Sequence, residues 1–259
     1  MASVKDILVK PINATMANNF VKAHHYSGKV VPNSQLHFGC FLNGVLGGVM
    51  QFGPSINKQG TIHLVKGTEW NGFIELNRMA FSEILPKNSE SRCISVALRL
   101  IKKNYPNIKW VISFADGCQC GDGTIYRASG FKLVGIAENT AIRINPKTHE
   151  LVHVIQAHHL KIPSKEFNKW QPLKGNMLKY VYFIDKSKEK DLTVPVLSFN
   201  MIDKMNARMY KGKAYKKVNA CLVQDKNACV PVRDGGESPT DTHQVSQTTI
   251  NTNNNNIQI

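Results

Sequence analysis

An α/β fold with a mixed sheet is what this 259-residue sequence predicts, and three patterns carry that reading. Two apolar runs, LHFGCFL and VLGGVMQF, flank Asn43-Gly44, a pair whose tolerance of positive φ makes it a strong signal for an antiparallel hairpin. From Ser89 to Lys103 the apolar residues Ile94, Ala97, Leu98 and Ile101 recur at helical spacing, with Arg99, Lys102 and Lys103 toward the closing turns. Immediately afterwards KWVISFA is a short apolar run of the kind found in strands buried on both faces. A hairpin and a strand–helix–strand crossover in one chain call for a sheet with both pairing modes and helices on its faces.

The remaining elements follow in chain order. A short opening strand leads to a helix from about Asn13 to His24, with Asn13 as N-cap and Met16, Phe20 and Ala23 at helical spacing. FIELNRMAF after the hairpin is a further strand, followed by the turn residues LPKNSES. Thr124 to Ser129 forms a short helix that Gly130 ends. FKLVGI, TAIRIN, LVHVIQA and KYVYFID are strand candidates, the middle two joined by a Pro-Lys-Thr-His turn. We expect a catalytic core over residues 1–160, a basic extension over 161–218 packed on or continuing it, and a flexible tail over 219–259, polar at its end.

Charge narrows the partners. Thirty-three Lys and Arg against eighteen Asp and Glu give a net +15, and residues 156–218 hold fourteen basic against five acidic residues with aromatics interleaved. A polyanion releases condensed counterions on such a surface, so nucleic acid is the expected partner. No apolar run reaches the roughly 20 residues that a membrane-spanning helix requires. The opening MASVKDILVK lacks the apolar core of a secretory signal, and six scattered cysteines fit a reducing, cytoplasmic setting.

Chemistry concentrates in SFADGCQCGDGTIYRASGF, residues Ser113 to Phe131. Cys118 and Cys120 suggest a metal or redox loop, but the other cysteines form no second Cys-x2-4-Cys pair of the zinc type. A nucleophilic cysteine would need a positioned base, for which His24 and His25 are the candidates. Asp116 stands at the C-terminal end of an apolar strand, where open α/β sheets present ligand-binding groups. A lone Asp there is commonly a cap, but Tyr126 in the next short helix strengthens the functional reading. HHYSG closes the first helix with His25 and Tyr26. Arg78 and Glu75 lie on a half-buried strand, where a buried Arg demands a partner such as Asp116 or a ligand anion. The stretch NSES before the helix at Ser91 offers either an N-cap or a phosphate cradle.

The strand–helix order resembles the GNAT acyltransferase fold, and HHYSGK, ELNRMAF, WVISFAD and GTIYRASGF are similar, in order, to the bacteriophage Mom family of DNA-modification proteins. The resemblance implies a GNAT-like, mostly antiparallel central sheet flanked by helices. It implies conversion of adenine in DNA to N6-carbamoylmethyladenine in the cytoplasm of a bacterial host cell, shielding phage DNA from restriction. The family's functional positions fall on His25, Tyr26, Arg78, Ser91, Asp116 and Tyr126. In this reading Asp116 accepts the amine's proton or hydrogen bond, aided by Tyr126. Arg78 and Ser91 hold the donor, acetyl-CoA or another acyl or aminoacyl donor, while His25 and Tyr26 line the pocket. His25, Tyr26 and Asp116 are also the implied ligands of an iron ion. The partner is double-stranded DNA with its adenine flipped out. KNSESRCIS departs from the glycine-rich pyrophosphate loop of ordinary GNAT enzymes. Two other readings remain: an ordinary GNAT enzyme acting on a small-molecule, protein or tRNA amine, and a non-catalytic DNA-binding protein on that scaffold.

Overall fold

Pairing begins with β1 (Leu8–Pro11), which runs antiparallel to β2 (Leu36–Leu42), the first strand of the expected hairpin with β3 (Val45–Gly53). Asn43 and Gly44 have φ of 50° and 81°, so the turn takes the doubly positive geometry that matches strand twist. Between β1 and β2 lies α1 (Ala14–His24), whose N-terminus is capped by the Asn13 side chain accepting from the Met16 N–H at 2.8 Å. A computed structural model describes residues 3–118 and 121–205, Ala207, and the backbone of 209–210 and 213–214. Cys120 and the expected tail over 219–259 lie outside the described residues.

After a short helix, α2 (Lys58–Ile62), the chain enters β4 (Phe73–Phe81), which pairs antiparallel with β3. Then come α3 (Ser89–Asn104), β5 (Trp110–Asp116), α4 (Thr124–Ala128) and β6 (Lys132–Glu138). A second, smaller sheet interrupts here: β7 (Ile142–Ile144) pairs with β8 (Leu151–His153) and with β9 (Gln171–Pro172). Two short helices, α5 (Val154–His159) and α6 (Ser164–Phe167), connect β8 to β9. The chain then returns as β10 (Asn176–Phe183) and ends its described helices with α7 (Asn200–Lys204).

The seven-stranded main sheet has the order β1-β2-β3-β4-β5-β10-β6, antiparallel throughout except for β4 and β5. This is the mixed, mostly antiparallel sheet flanked by helices that the sequence predicts. The KYVYFID segment, from the basic stretch beyond residue 160, is no peripheral strand: as β10 it lies inside the sheet, between β5 and β6. One strand expectation needs correction. LVHVIQA extends only from Leu151 to His153 before turning helical, because the His153 side chain accepts from the Ile155 N–H at 3.2 Å and caps α5. Its β-branched run has the composition of a strand without its partner.

One sheet face is sealed by α3 and α4. Ile94, Ala97, Leu98 and Ile101 pack there on Ile74, Leu76, Val111, Leu133 and Leu178. On the other face α1 sets Ala17, Phe20 and Val21 against Val49 and Ala80. Trp110 anchors the rest of that face, stacked on Phe73 at 4.4 Å and donating its indole N–H to Thr68 Oγ1 at 3.0 Å. Among the described residues no helix is long and apolar enough to cross a membrane.

Candidate active site

The parallel pair β4–β5 is matched only over Phe73–Trp110, Ile74–Val111 and Glu75–Ile112, although both strands continue beyond it. Past that point the two strands part, and the main sheet opens in its middle. The buried Ser113 hydroxyl donates to the Leu76 carbonyl at 3.3 Å across the start of the opening, satisfying an acceptor the ladder no longer serves.

A bulge in β4 decides what faces this opening. Gln51 pairs with Arg78 and Phe52 with Leu76, so Asn77 is an extra residue without a partner. The insertion reverses the alternation of side chains: Leu76 belongs to the α3 face, whereas Arg78 shares the α1 face with Glu75 and Ala80. Strict alternation along β5 puts Asp116 on that same face, with Trp110 and Ile112.

Arg78 is the hub. Its Nε donates to the Lys29 carbonyl at 3.0 Å and Nη1 to the Asn77 carbonyl at 2.8 Å. Burial pulls its pKa down, while Tyr26, Glu75 and Tyr126 act electrostatically in the opposite direction. Tyr126 approaches from the other sheet face: α4 starts at Gly123, whose φ of 70° and close approach to the Tyr180 ring leave no room for a side chain. Tyr126 is buried there against Tyr180 and Phe131, with ring centroids at 5.1 Å and 5.4 Å.

His25 and Tyr26 leave the end of α1 with rings tilted together at 4.3 Å. The His25 Nδ1 accepts from the Ser27 N–H at 3.2 Å and lies 2.8 Å from the Ser27 hydroxyl, which puts the ring proton on Nε2. Burial first, then the Arg78 guanidinium, lower the His25 pKa to about 3, so this imidazole is neutral at physiological pH. Burial raises the Glu75 carboxyl above its usual range, against hydrogen bonds from Ser55 and Asn77 and the charge of Arg78.

Asp116 is buried, and its Oδ1 accepts from the Cys118 N–H at 3.0 Å. Cys118 is a poor nucleophile and a poor thiolate ligand. It is fully buried, and burial, the Asp116 charge and a hydrogen bond to Asp116 push its pKa up to about 12. Cys40 and Cys93 are likewise buried, and their mutual hydrogen bond together with burial raises Cys40.

The structure therefore brings His25, Tyr26, Arg78 and Tyr126 together, with Asp116 on the same sheet face. It also adds His153, which the sequence reading missed inside a presumed strand. His153 is half-buried, with burial lowering its pKa, and it feels the charges of Asp116, Arg78 and Lys29. Ser91 is not joined to this group by any described hydrogen bond: its hydroxyl donates to the Asn88 carbonyl at 3.2 Å within the first turn of α3. Asn88 itself sits at φ 67° and caps nothing with its side chain, so the start of α3 keeps N–H groups free of side-chain caps.

These donors do not fit the expected iron site. No cluster of three or more His, Cys, Asp or Glu suited to a metal exists among the described residues. The His25 Nδ1 is engaged by Ser27, and the Arg78 cation acts electrostatically on His25, Tyr26 and His153, which disfavours a second cation among them. Two concavities lie away from this cluster: an open depression of about 550 Å³ beside Asn13 and Phe20, and a polar pocket of about 100 Å³ between Asp122, Arg127 and Asp203.

Comparison with known proteins bears out the family that the sequence resembles. Among solved structures, the chain is similar to a polyamine N acetyltransferase of Drosophila melanogaster, with TM-score 0.42 and 9% identity over 69% of this chain and 100% of that one. It is similar to an IAA acetyltransferase from Bacillus cereus, with TM-score 0.40 and 11% identity over 68% and 99% of the two chains. In sequence it is 33% identical over 221 residues to "Methylcarbamoylase mom" of Escherichia phage Mu, covering 82% of this chain and 85% of that protein. The model of the Mom protein family matches residues 6–201, a span that holds every residue of the site. The chain belongs to the Mom protein family.

Proposed function

We propose that this protein is a DNA-modifying transferase that places a carbamoylmethyl group on the exocyclic amine of adenine in double-stranded DNA. The carrying observation is the polar cluster around Arg78 at the parting of β4 and β5, in a chain of the Mom family. The name of the phage Mu relative supports a methylcarbamoylase-type transfer. The net charge of +15 suits a polyanionic substrate.

The amine of adenine lies inside the duplex stack, so the base swings out to reach a buried carboxylate such as Asp116. Asp116 accepts the amine's hydrogen bond and then its proton as nitrogen bonds to the donor carbon and the donor's leaving group departs with its electron pair. The Cys118 N–H and thiol hold the carboxylate in place. Tyr126 supplies a phenol near Arg78, and neutral His25 with Tyr26 forms the wall at the end of α1. Arg78 has spent two donors on backbone carbonyls and turns the rest of its fork toward the group donor, which must carry the amide nitrogen of the product as well as its two carbons, since acetyl-CoA by itself would leave only an acetyl group. Ser91 and the N–H groups at the start of α3 take the donor's anionic portion. No step runs through iron, whose ligands this cluster does not supply. Modified adenines shield phage DNA from restriction in the host cytoplasm.

Nucleoside mass spectrometry on DNA from cells expressing the chain tests the proposal. A modified adenine nucleoside is expected with the wild-type chain and not with Asp116→Asn at equal soluble yield. An unmodified adenine profile under good expression overturns it, in favour of an ordinary amine acyltransferase or a non-catalytic DNA binder.

A further inference from the structure

The segment that carries His153 into the site does something else on its outer side. Helix α5 buries only Ala157, and leaves Val154, Ile155 and the following Leu160 exposed at 46%, 40% and 59%. Val154 and Ile155 are adjacent at the start of α5 and form an exposed aliphatic pair, while Leu160, past the helix end, lies on another side.

The patch is held firmly relative to the chemistry. Its support is a small separate core of Val152, Ala157, Phe167 and Trp170. The root of the segment is fixed by the buried Asn139 side chain. Its Nδ2 donates to the carbonyls of Ile142 and Leu173 at 2.9 Å and 2.8 Å, and its Oδ1 accepts from the N–H groups of Ala141 and Ile142 at 3.1 Å and 3.0 Å. On the site side, Gln156 accepts a hydrogen bond from the Lys29 side chain, and the Lys29 carbonyl holds Arg78. His153, which feels the charges of Asp116 and Arg78, is thus followed directly by two stiff, exposed β-branched side chains.

The surroundings identify the partner. The small-sheet segment that carries Val154 and Ile155 also exposes Lys147, His158, His159, Lys161 and Lys165, with Glu150 and Glu166 as acidic exceptions, and Lys29 reaches it through Gln156. An apolar point on a largely basic segment suits a duplex, where a base step offers an apolar slot and the backbones offer phosphates on either side. We propose that Val154 and Ile155 form a wedge that enters double-stranded DNA beside the adenine and fills the stack it vacates. This rests on the DNA-adenine reading of the site and deepens it: the same segment opens the duplex and lines the pocket that receives the base.

The test pairs the full chain with V154S/I155S and with the conservative Ile155→Leu. In expressing cells, V154S/I155S is expected to lower modified adenine by about tenfold or more at equal soluble protein, and Ile155→Leu to restore it. In vitro, the probe is a duplex carrying 2-aminopurine in place of adenine, paired with thymine or opposite an abasic site. Wild-type protein is expected to raise the fluorescence of the paired probe and V154S/I155S to fail, while the two act alike on the abasic probe, which needs no wedge. If V154S/I155S matches wild type in modification and on the paired probe, the wedge is overturned. It is equally overturned if the variant loses both probes to the same extent, since the patch is then a general docking surface. If wild-type protein produces no modified nucleoside, the functional reading falls instead, and the paired-probe signal still reports on the wedge by itself.

Discussion

On the α3 face of the main sheet, Ile94, Leu98 and Ile101 meet Ile74, Leu76 and Val111 in a continuous apolar core, whereas the α1 face at the same strand positions carries Glu75, Arg78 and Asp116. The first face is closed by the long amphipathic α3 with the short α4 beside it. The second is closed by pieces from distant parts of the chain: the end of α1, the loop to Lys29, and the β8–α5 segment. The difference teaches where this fold spends stability and where it spends specificity. Burial on the α3 face admits a polar group only where it is paired, as Ser113 is to the Leu76 carbonyl, and the polar cluster opposite is kept by hydrogen bonds that any single truncation leaves unmet.

Four substitutions and one pH series sharpen or break this contrast. Asp116→Asn keeps the shape of the side chain and removes its basicity, so modified adenine should fall by about 100-fold or more while the melting temperature stays close to wild type. A parallel loss of fold would mean that the two faces are not separable. Ile101→Ala should do the reverse. It opens a cavity under α3 and costs about 2–5 kcal/mol in urea unfolding, with activity per folded molecule unchanged. Arg78→Lys keeps a cation but loses the fork that spans the Lys29 and Asn77 carbonyls, and modification should drop by about tenfold.

Acid should act through the polar face. His25 takes up a proton near pH 6.5 in the unfolded chain but only near pH 3 when folded, so the unfolded state binds more protons between those values. Stability is then complete above pH 6.5 and is lost as pH falls toward 3. Glu75, with its raised pKa, has the opposite sign, so the comparison needs a variant. Thermal melts from pH 7 to 5 should decline less steeply for His25→Gln than for wild type, and parallel curves would refute the assignment. The smallest effect expected is Cys118→Ala: modification should stay within about threefold of wild type, because a thiol held neutral by burial supplies no nucleophile.

Much of the α3 face was legible in the sequence, since helical spacing and the apolar strand runs are local signals. The hairpin was legible for the same reason, as Asn43-Gly44 demands one turn geometry. Five of the six motif residues, all but Ser91, mark the α1-side cluster or its Tyr126 wall. What stayed hidden is what pairing over long separations decides. The bulge at Asn77 has no signature in FIELNRMAF, yet it alone turns Arg78 to the face of Glu75. His153 lay in a run whose Val-Ile composition suggested a strand, and only its cap on Ile155 and the pairing of β7 with β8 carry it to Asp116. A histidine that ends a short hairpin strand and opens a helix is the signal that would have found it.

The position of β10 has a consequence for how the molecule is made. As the chain leaves the ribosome, β6 is complete well before β10, its neighbour in the main sheet, and β5 waits on the same late strand for its second ladder. The small sheet, α5 and α6 are synthesised during that wait, so the segment that carries His153 can form before the sheet beside it is closed. Long-range closure of this kind folds slowly and leaves strand edges open to wrong partners. A fragment that stops before Asn176 should therefore accumulate as aggregate, and timely arrival of one central strand sets the yield of active enzyme.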